Sequence, residues 1–295
     1  MERKCDMVTG EDSRHESEGW ISGRSDHQLR ESKGEGHSCP SDAQNRERGG
    51  HFWIEGIRIV HEALAMEATV ELLIQAPGLL TSEHAQVLVA QVPPNRRLAV
   101  SPCVFQSISD REGPRGLGAV VRMMDLPLKA IPLSEELLLV VAHQVRDPGN
   151  LGAIIRTADC VAASGVVVIE PAADPYALKA VRASMGSLFA LPLVRLPDGT
   201  SFWRWTWEAR VAGWPLQVVA TSAHGTEDYR ALDYRRPTVM LMGSEGPGLP
   251  DSAKAQADAL VRIPLRGRAS SLNVAAATAV LLYEVLNQRL IARQC

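Results

Sequence analysis

The chain of 295 residues has no run of 18 apolar residues and no apolar stretch in its first 30 positions. The first absence argues against a transmembrane span. The second argues against a signal peptide, so a cytoplasmic protein with no membrane partner is expected. Aromatic residues are scarce, at 5%. Cys5, Cys39, Cys103, Cys160 and Cys295 are scattered and form no CxxC pair, which speaks against a disulfide framework or a zinc ribbon. No GxGxxG follows an early strand, and GxxxxGKS/T, GxSxG and HExxH are missing. Dinucleotide-binding, P-loop and nucleophile-elbow enzymes therefore lack their machinery here. His143 and His224 have no spaced partner, and no metal is expected.

Positive charge is not in excess either. Residues 1–50 carry 8 Lys and Arg against 11 Asp and Glu, which leaves 23 of each for residues 51–295. Any nucleic-acid contact must then use a local patch rather than a basic footprint. The basic residues are 26 Arg and 5 Lys, and Arg suits bidentate phosphate contacts. Residues 1–50 hold only nine apolar residues, too few to offset the entropy of ordering them. Residues 1–44 are predicted to be a disordered tail, with structure beginning near His51.

From Phe52 the pattern changes to an α/β unit. Ile57, Val60 and Leu64 have helical spacing, Val70–Ile74 reads as a strand, and Leu79–Leu88 reads as a helix. Arg97–Val100, a short helix Val104–Ile108 and a strand Gly118–Met123 complete it. Residues 124–135, with Pro127 and Pro132, look like a linker. Beyond it come continuous apolar runs: Leu137–Val141, Gly165–Ile169, Leu216–Ala220, Thr238–Met242 and Leu260–Ile263. Such runs suit parallel strands buried on both faces. Helical patterns over 151–162, 175–185, 201–212, 251–257 and 272–293 lie among them, so an open, mostly parallel sheet is predicted.

Ligands of such sheets bind outside the carboxyl ends of the strands, and three loops there are unusual. In His143–Gly152, Asn150 suits a helix N-cap. Gly152 lies one turn from Arg156, where the missing side chain would leave room for a ligand. Gly243-Ser244-Glu245-Gly246-Pro247-Gly248 lets the backbone approach a ligand closely and adds a carboxylate. In Ile263–Val274, Arg266 and Arg268 flank a glycine as a plausible phosphate clamp. Ser270 or Ser271 can cap the last helix there, with Asn273 in its first turn.

These three loops resemble the motifs of the SpoU-type RNA 2′-O-ribose methyltransferases of the SPOUT class. They stand here as Asn150-Leu151-Gly152 through Arg156, Leu241–Leu249, and Ile263-Pro264 through Ser271-Leu272-Asn273-Val274. Arg182–Phe189 looks typical of the same family. Phe52–Gly56 and Gly118–Met123 are similar to the ribosomal-protein-like substrate domain of its longer members. Leu265 stands where Met is more usual. The resemblance implies an RNA substrate-binding α/β domain over 45–123. It implies a methyltransferase domain over 136–295, with a mostly parallel sheet and a deep trefoil knot. S-adenosylmethionine is then the donor and RNA the substrate, with ribosomal RNA favoured over transfer RNA. A homodimer follows too, and the alanines Ala275, Ala276 and Ala279 suit close helix packing.

The resemblance also distributes roles. The cofactor would be held mostly by backbone around Thr221, Leu241, Gly243, Ile263 and Leu272, and Gly246 would join them. Arg146, Arg182, Arg266 and Arg268 would contact RNA. Arg156 would stabilise the developing ribose alkoxide; it stays protonated and is not a simple base. Asn150, Ser271 and Asn273 would orient the ribose, and Glu245, a water or an RNA phosphate would take the proton. The competing expectations are a transfer RNA 2′-O-methyltransferase, a SPOUT-type base methyltransferase and, less favoured, a non-catalytic RNA-binding protein.

Overall fold

In a computed structural model, residues 46, 49–124 and 126–293 are described. The expected tail, residues 1–44, lies outside them. The front part opens with β1 (His51–Glu55), α1 (Ile57–Ala65) and β2 (Val70–Gln75). It continues through α2 (Glu83–Gln91), β3 (Arg97–Ala99), α3 (Pro102–Ile108) and β4 (Leu117–Arg122). Its four strands run in the order β1-β4-β2-β3. β4 is antiparallel to both neighbours, and β2 and β3 are parallel.

The rest alternates strand and helix. β5 (Leu138–His143), α4 (Pro148–Cys160), β6 (Gly165–Ile169), α5 (Leu178–Ser184), β7 (Leu193–Leu196) and α6 (Thr200–Val211) come first. β8 (Gln217–Thr221), β9 (Glu227–Asp228), β10 (Thr238–Met242), α7 (Asp251–Gln256), β11 (Ala259–Arg262) and α8 (Val274–Ala292) follow. The seven strands form one sheet in the order β7-β6-β5-β10-β8-β11-β9, with every pairing parallel. The chain thus returns to insert β10 between β5 and β8 before it places β11 outside β8.

Strand alternation divides the core in two. Leu138, Val140, Val166, Val168, Val219, Met240 and Met242 face one side, against α4, α5 and α8. Leu139, Val141, Val167, Val218, Val239 and Leu241 face the other, against Phe202 and Trp205 of α6 and Ala253 of α7. All six residues of β5 are buried, and each Val or Leu so buried contributes roughly 1.5–3 kcal/mol. The apolar runs are continuous because both faces are covered. α8 is long and apolar enough, by length and composition, to cross a membrane. Val274, Thr278, Leu281, Leu282 and Val285 instead place one of its faces in the core.

The front part shares the first of these clusters. Phe52 meets Tyr176 at 4.8 Å and Phe189 at 6.1 Å between ring centroids. The Tyr176 hydroxyl donates to the Met124 carbonyl at 2.8 Å. Within residues 124–135, Leu128 and Ile131 are buried against the second cluster.

Candidate active site

Loops at the carboxyl ends of β8, β10 and β11 enclose a cavity of about 550 Å³. Thr221, Gly243, Glu245, Gly246, Ile263, Ser271, Leu272 and Asn273 line it, so the structure brings these predicted residues together. Leu241, expected to meet the cofactor through its backbone, is not among the lining residues. Its side chain is fully buried on the opposite face of the sheet, and its carbonyl accepts a hydrogen bond from the Thr221 hydroxyl at 3.1 Å. Met242, one residue on and so on the other face, takes the wall instead.

The loop after β10 curls back on itself. The Gly248 N–H donates to the Ser244 carbonyl at 3.0 Å. A Cβ on Gly243 would lie 2.5 Å from the backbone of Gly248 and Leu249. Any side chain there would spread the loop, so the glycine serves loop closure first and ligand approach through it.

Two predicted caps are corrected. Asp147, not Asn150, caps α4: its carboxylate accepts from the Asn150 N–H at 2.8 Å, and Pro148 opens the helix. The Lys179 ammonium, with the Asn150 N–H, holds the Asp147 carboxyl below its usual range. Asn273, not Ser270 or Ser271, caps α8, with its Oδ1 accepting from the N–H groups of Ala275 and Ala276 at 2.9 and 3.3 Å.

These positions place both asparagines in one chain of hydrogen bonds. The cap occupies the Asn273 oxygen, so its amide nitrogen faces away and donates to Asn150 Oδ1 at 3.0 Å. That occupies the Asn150 oxygen, and its own amide nitrogen donates to Glu245 Oε1. Each amide fixes the orientation of the next, and the series ends on a group that only accepts when ionised. Residues from all three motif loops are thereby tied together at the mouth of the cavity.

The arginines divide. Arg146, Arg266 and Arg268 are exposed and have no hydrogen bond or ion pair among the described residues. Arg156 is likewise exposed and unpaired among them, and it does not line the cavity. Arg182 is 31% exposed and already engaged within the chain. It pairs with Asp110 at 3.2 Å and approaches Glu55 at 4.0 Å, joining α5 to the front part. Gly152 is also corrected. A Cβ there would sit 2.3 Å from the Ala180 carbonyl oxygen and 2.7 Å from the Ala183 Cβ, so the glycine admits α5 rather than a ligand.

Sequence reasoning missed Lys254 and placed no role on His224, yet both line the cavity. Lys254 carried a signal, being one of only five lysines and close behind the glycine-rich loop. His143 ends β5 with its Nδ1 buried and without a hydrogen-bond partner among the described residues, and burial pushes its pKa down.

The cavity has the size of a site for a cofactor-like molecule. Its apolar wall of Met242, Ile263, Leu265, Leu272 and Val274 suits a flat heterocycle, and Glu245 and Lys254 suit a charged tail. Fold and site together define an α/β group-transfer enzyme whose ligand sits at the carboxyl edge of a parallel sheet. Residues 137–283 match the SpoU rRNA Methylase family, and residues 41–119 match the MRM3-like substrate binding domain.

A 23S rRNA uridine 2′-O-methyltransferase of Streptomyces viridochromogenes is 37% identical over 84% of this chain and 86% of its own length. The 23S rRNA guanosine 2′-O-methyltransferase RlmP of Bacillus subtilis is 30% identical over 82% and 91%. The crystal structure of the SpoU methyltransferase AviRb from Streptomyces viridochromogenes superposes with a TM-score of 0.79 at 36% identity, covering 86% of this chain and 95% of that one. An AdoMet-bound rRNA methyltransferase from Sinorhizobium meliloti gives 0.75 at 37% identity, covering 84% and 91%. The chain belongs to the SpoU methyltransferase family. It is an RNA methyltransferase whose methyl donor is S-adenosylmethionine.

Proposed function

We propose that the protein methylates a ribose 2′-hydroxyl of 23S ribosomal RNA. The observation that carries this reading is the hydrogen-bonded series Asn273–Asn150–Glu245 at the mouth of a cofactor-sized cavity. Two relatives that align over more than four-fifths of both chains carry 23S rRNA 2′-O-methyltransferase names, which supports the choice of RNA and of atom. A ribosomal substrate also favours a cytoplasmic protein.

The bound donor supplies an activated methyl on a sulfonium, so the remaining difficulty lies with the ribose oxygen. A 2′-hydroxyl is a poor nucleophile at neutral pH. Asn150 and Asn273, locked by their own hydrogen bonds, orient the ribose beside Ser271. Arg156, exposed outside the cavity wall, supplies a positive charge to the oxygen of a docked ribose as it becomes an alkoxide. Glu245, positioned by its hydrogen bond from the Asn150 amide, accepts the proton. Alignment of the oxygen with the methyl group contributes a further share of the rate. Arg146, Arg266 and Arg268 hold RNA phosphates.

We read the assembly as a homodimer. The outer face of α8 exposes Ala276, Val280, Tyr283 and Leu290 at spacings of three, four and seven, an apolar seam suited to a second helix. We also read the return of β10 between β5 and β8 as the trefoil knot that the family resemblance implies.

The test is a map of 2′-O-methyl positions in total RNA from cells with and without the gene. One position in 23S rRNA should lose its methyl group. An unchanged map, or a loss confined to transfer RNA, would contradict the proposal.

A further inference from the structure

Lys254 is the one lysine or arginine among the described residues lining the cavity. It stands on α7, directly behind the loop that carries Glu245. Its ammonium pairs with Asp251 at 3.0 Å, three residues earlier on the same helix. Asp251 is fully exposed, while the lysine side chain is only 30% exposed. A solvent-facing pair of this kind contributes little, so the ammonium can turn to a second anion at small cost.

The described lining of the cavity thus presents one carboxylate, Glu245, and one ammonium, Lys254. S-adenosylmethionine has the complementary set: two positive centres, the sulfonium and the amino group, and one carboxylate. Glu245 complements the positive centres. The donor's carboxylate needs a cation once it is partly withdrawn from water.

We propose that Lys254 binds the carboxylate at the amino-acid end of the methyl donor. The inference rests on the reading that this cavity holds the donor. It assigns Lys254 to donor binding rather than to chemistry, since among the described residues its ammonium bonds to Asp251 and to no member of the Asn273–Asn150–Glu245 series. Charge-assisted hydrogen bonds in a half-buried setting are strong enough for their loss to weaken binding about tenfold.

The test is calorimetry with three probes: S-adenosylmethionine, S-adenosylhomocysteine and 5′-methylthioadenosine. The last keeps the nucleoside and thioether but lacks the amino-acid end. Lys254→Ala should bind the first two about tenfold more weakly and 5′-methylthioadenosine within about twofold of wild type. Lys254→Arg keeps the charge and should restore most of the loss. A thermal melt of each variant shows that the fold is intact.

Wild-type affinity of Lys254→Ala for S-adenosylmethionine would overturn the assignment. So would an equal loss for 5′-methylthioadenosine, or a loss seen only in RNA binding, which would place the lysine on a phosphate. A wild-type protein that binds none of the three probes would instead refute the reading of the cavity itself.

Discussion

Replacing Gly152 by alanine adds a single methyl group where two helices meet. That methyl would lie 2.3 Å from the Ala180 carbonyl oxygen and 2.7 Å from the Ala183 Cβ. Neither neighbour is a flexible chain end, so α4 and α5 must separate. Overpacking a core costs about 1–3 kcal/mol, and contact with rigid backbone places this case at the upper end. Alanine returns about 1 kcal/mol through its better helix propensity. The net loss is about 2 kcal/mol, a fall in Tm of about 4–8 °C for a body of this size. Thermal melts of wild type and Gly152→Ala, each with and without S-adenosylmethionine, measure it. The donor-induced rise in Tm should survive, because Gly152 does not line the cavity. An unchanged or higher Tm together with weakened donor binding would refute the reasoning and show that the glycine makes room for a ligand.

Four further outcomes are expected. Asn150→Asp sets a second carboxylate against Glu245 and removes the donor that holds it, so turnover should fall about 100-fold with S-adenosylmethionine affinity within a few-fold, as single-turnover assays and calorimetry would show. Arg266→Gln and Arg268→Gln should each lower the slope of log K against log salt for single-stranded RNA by about 0.7. Arg182→Gln should leave that slope unchanged and lower Tm, because it strips the buried Glu55 carboxylate of a nearby cation. His143 has its pKa lowered by burial from 6.5, so below that pH the unfolded chain binds the proton more readily than the folded one. Stability is then fully present above about pH 6.5 and declines as the pH falls; Tm at pH 5.5 should be lower than at 7.5, and His143→Gln should narrow the difference.

Much of the second sheet was legible because Leu137–Val141 and Thr238–Met242 are unbroken apolar runs, which only a doubly covered strand requires. Leu193–Leu196 was not, because Arg195 interrupts a four-residue segment at the sheet's edge. Strand order was beyond any local pattern, since β10 takes its place through pairings with residues some 20 and 100 positions away. The motif loops were visible as glycines, asparagines and a carboxylate in unusual company. Their internal assignments were not. Asn150 and Asn273 each have the chemistry of a cap, and only the observed helix starts decide that Asn273 caps while Asp147 takes the place expected of Asn150. Leu241 and Met242 are both apolar neighbours on one strand, and only the facing layers tell which one meets the cavity. Arg182 reads as a surface cation until Asp110 and Glu55 come into reach across the fold.

Methyl transfer to a ribose oxygen of ribosomal RNA can be followed in a single assay. Purified protein is incubated with S-adenosylmethionine carrying an isotopically labelled methyl group and with 23S rRNA from cells lacking the gene. The RNA is digested to nucleosides and examined by mass spectrometry. Label should appear in a single 2′-O-methylnucleoside, with the methyl group on the ribose fragment, and none should appear with Arg156→Ala. Label on a base fragment, or none with the wild-type protein, would contradict ribose methylation.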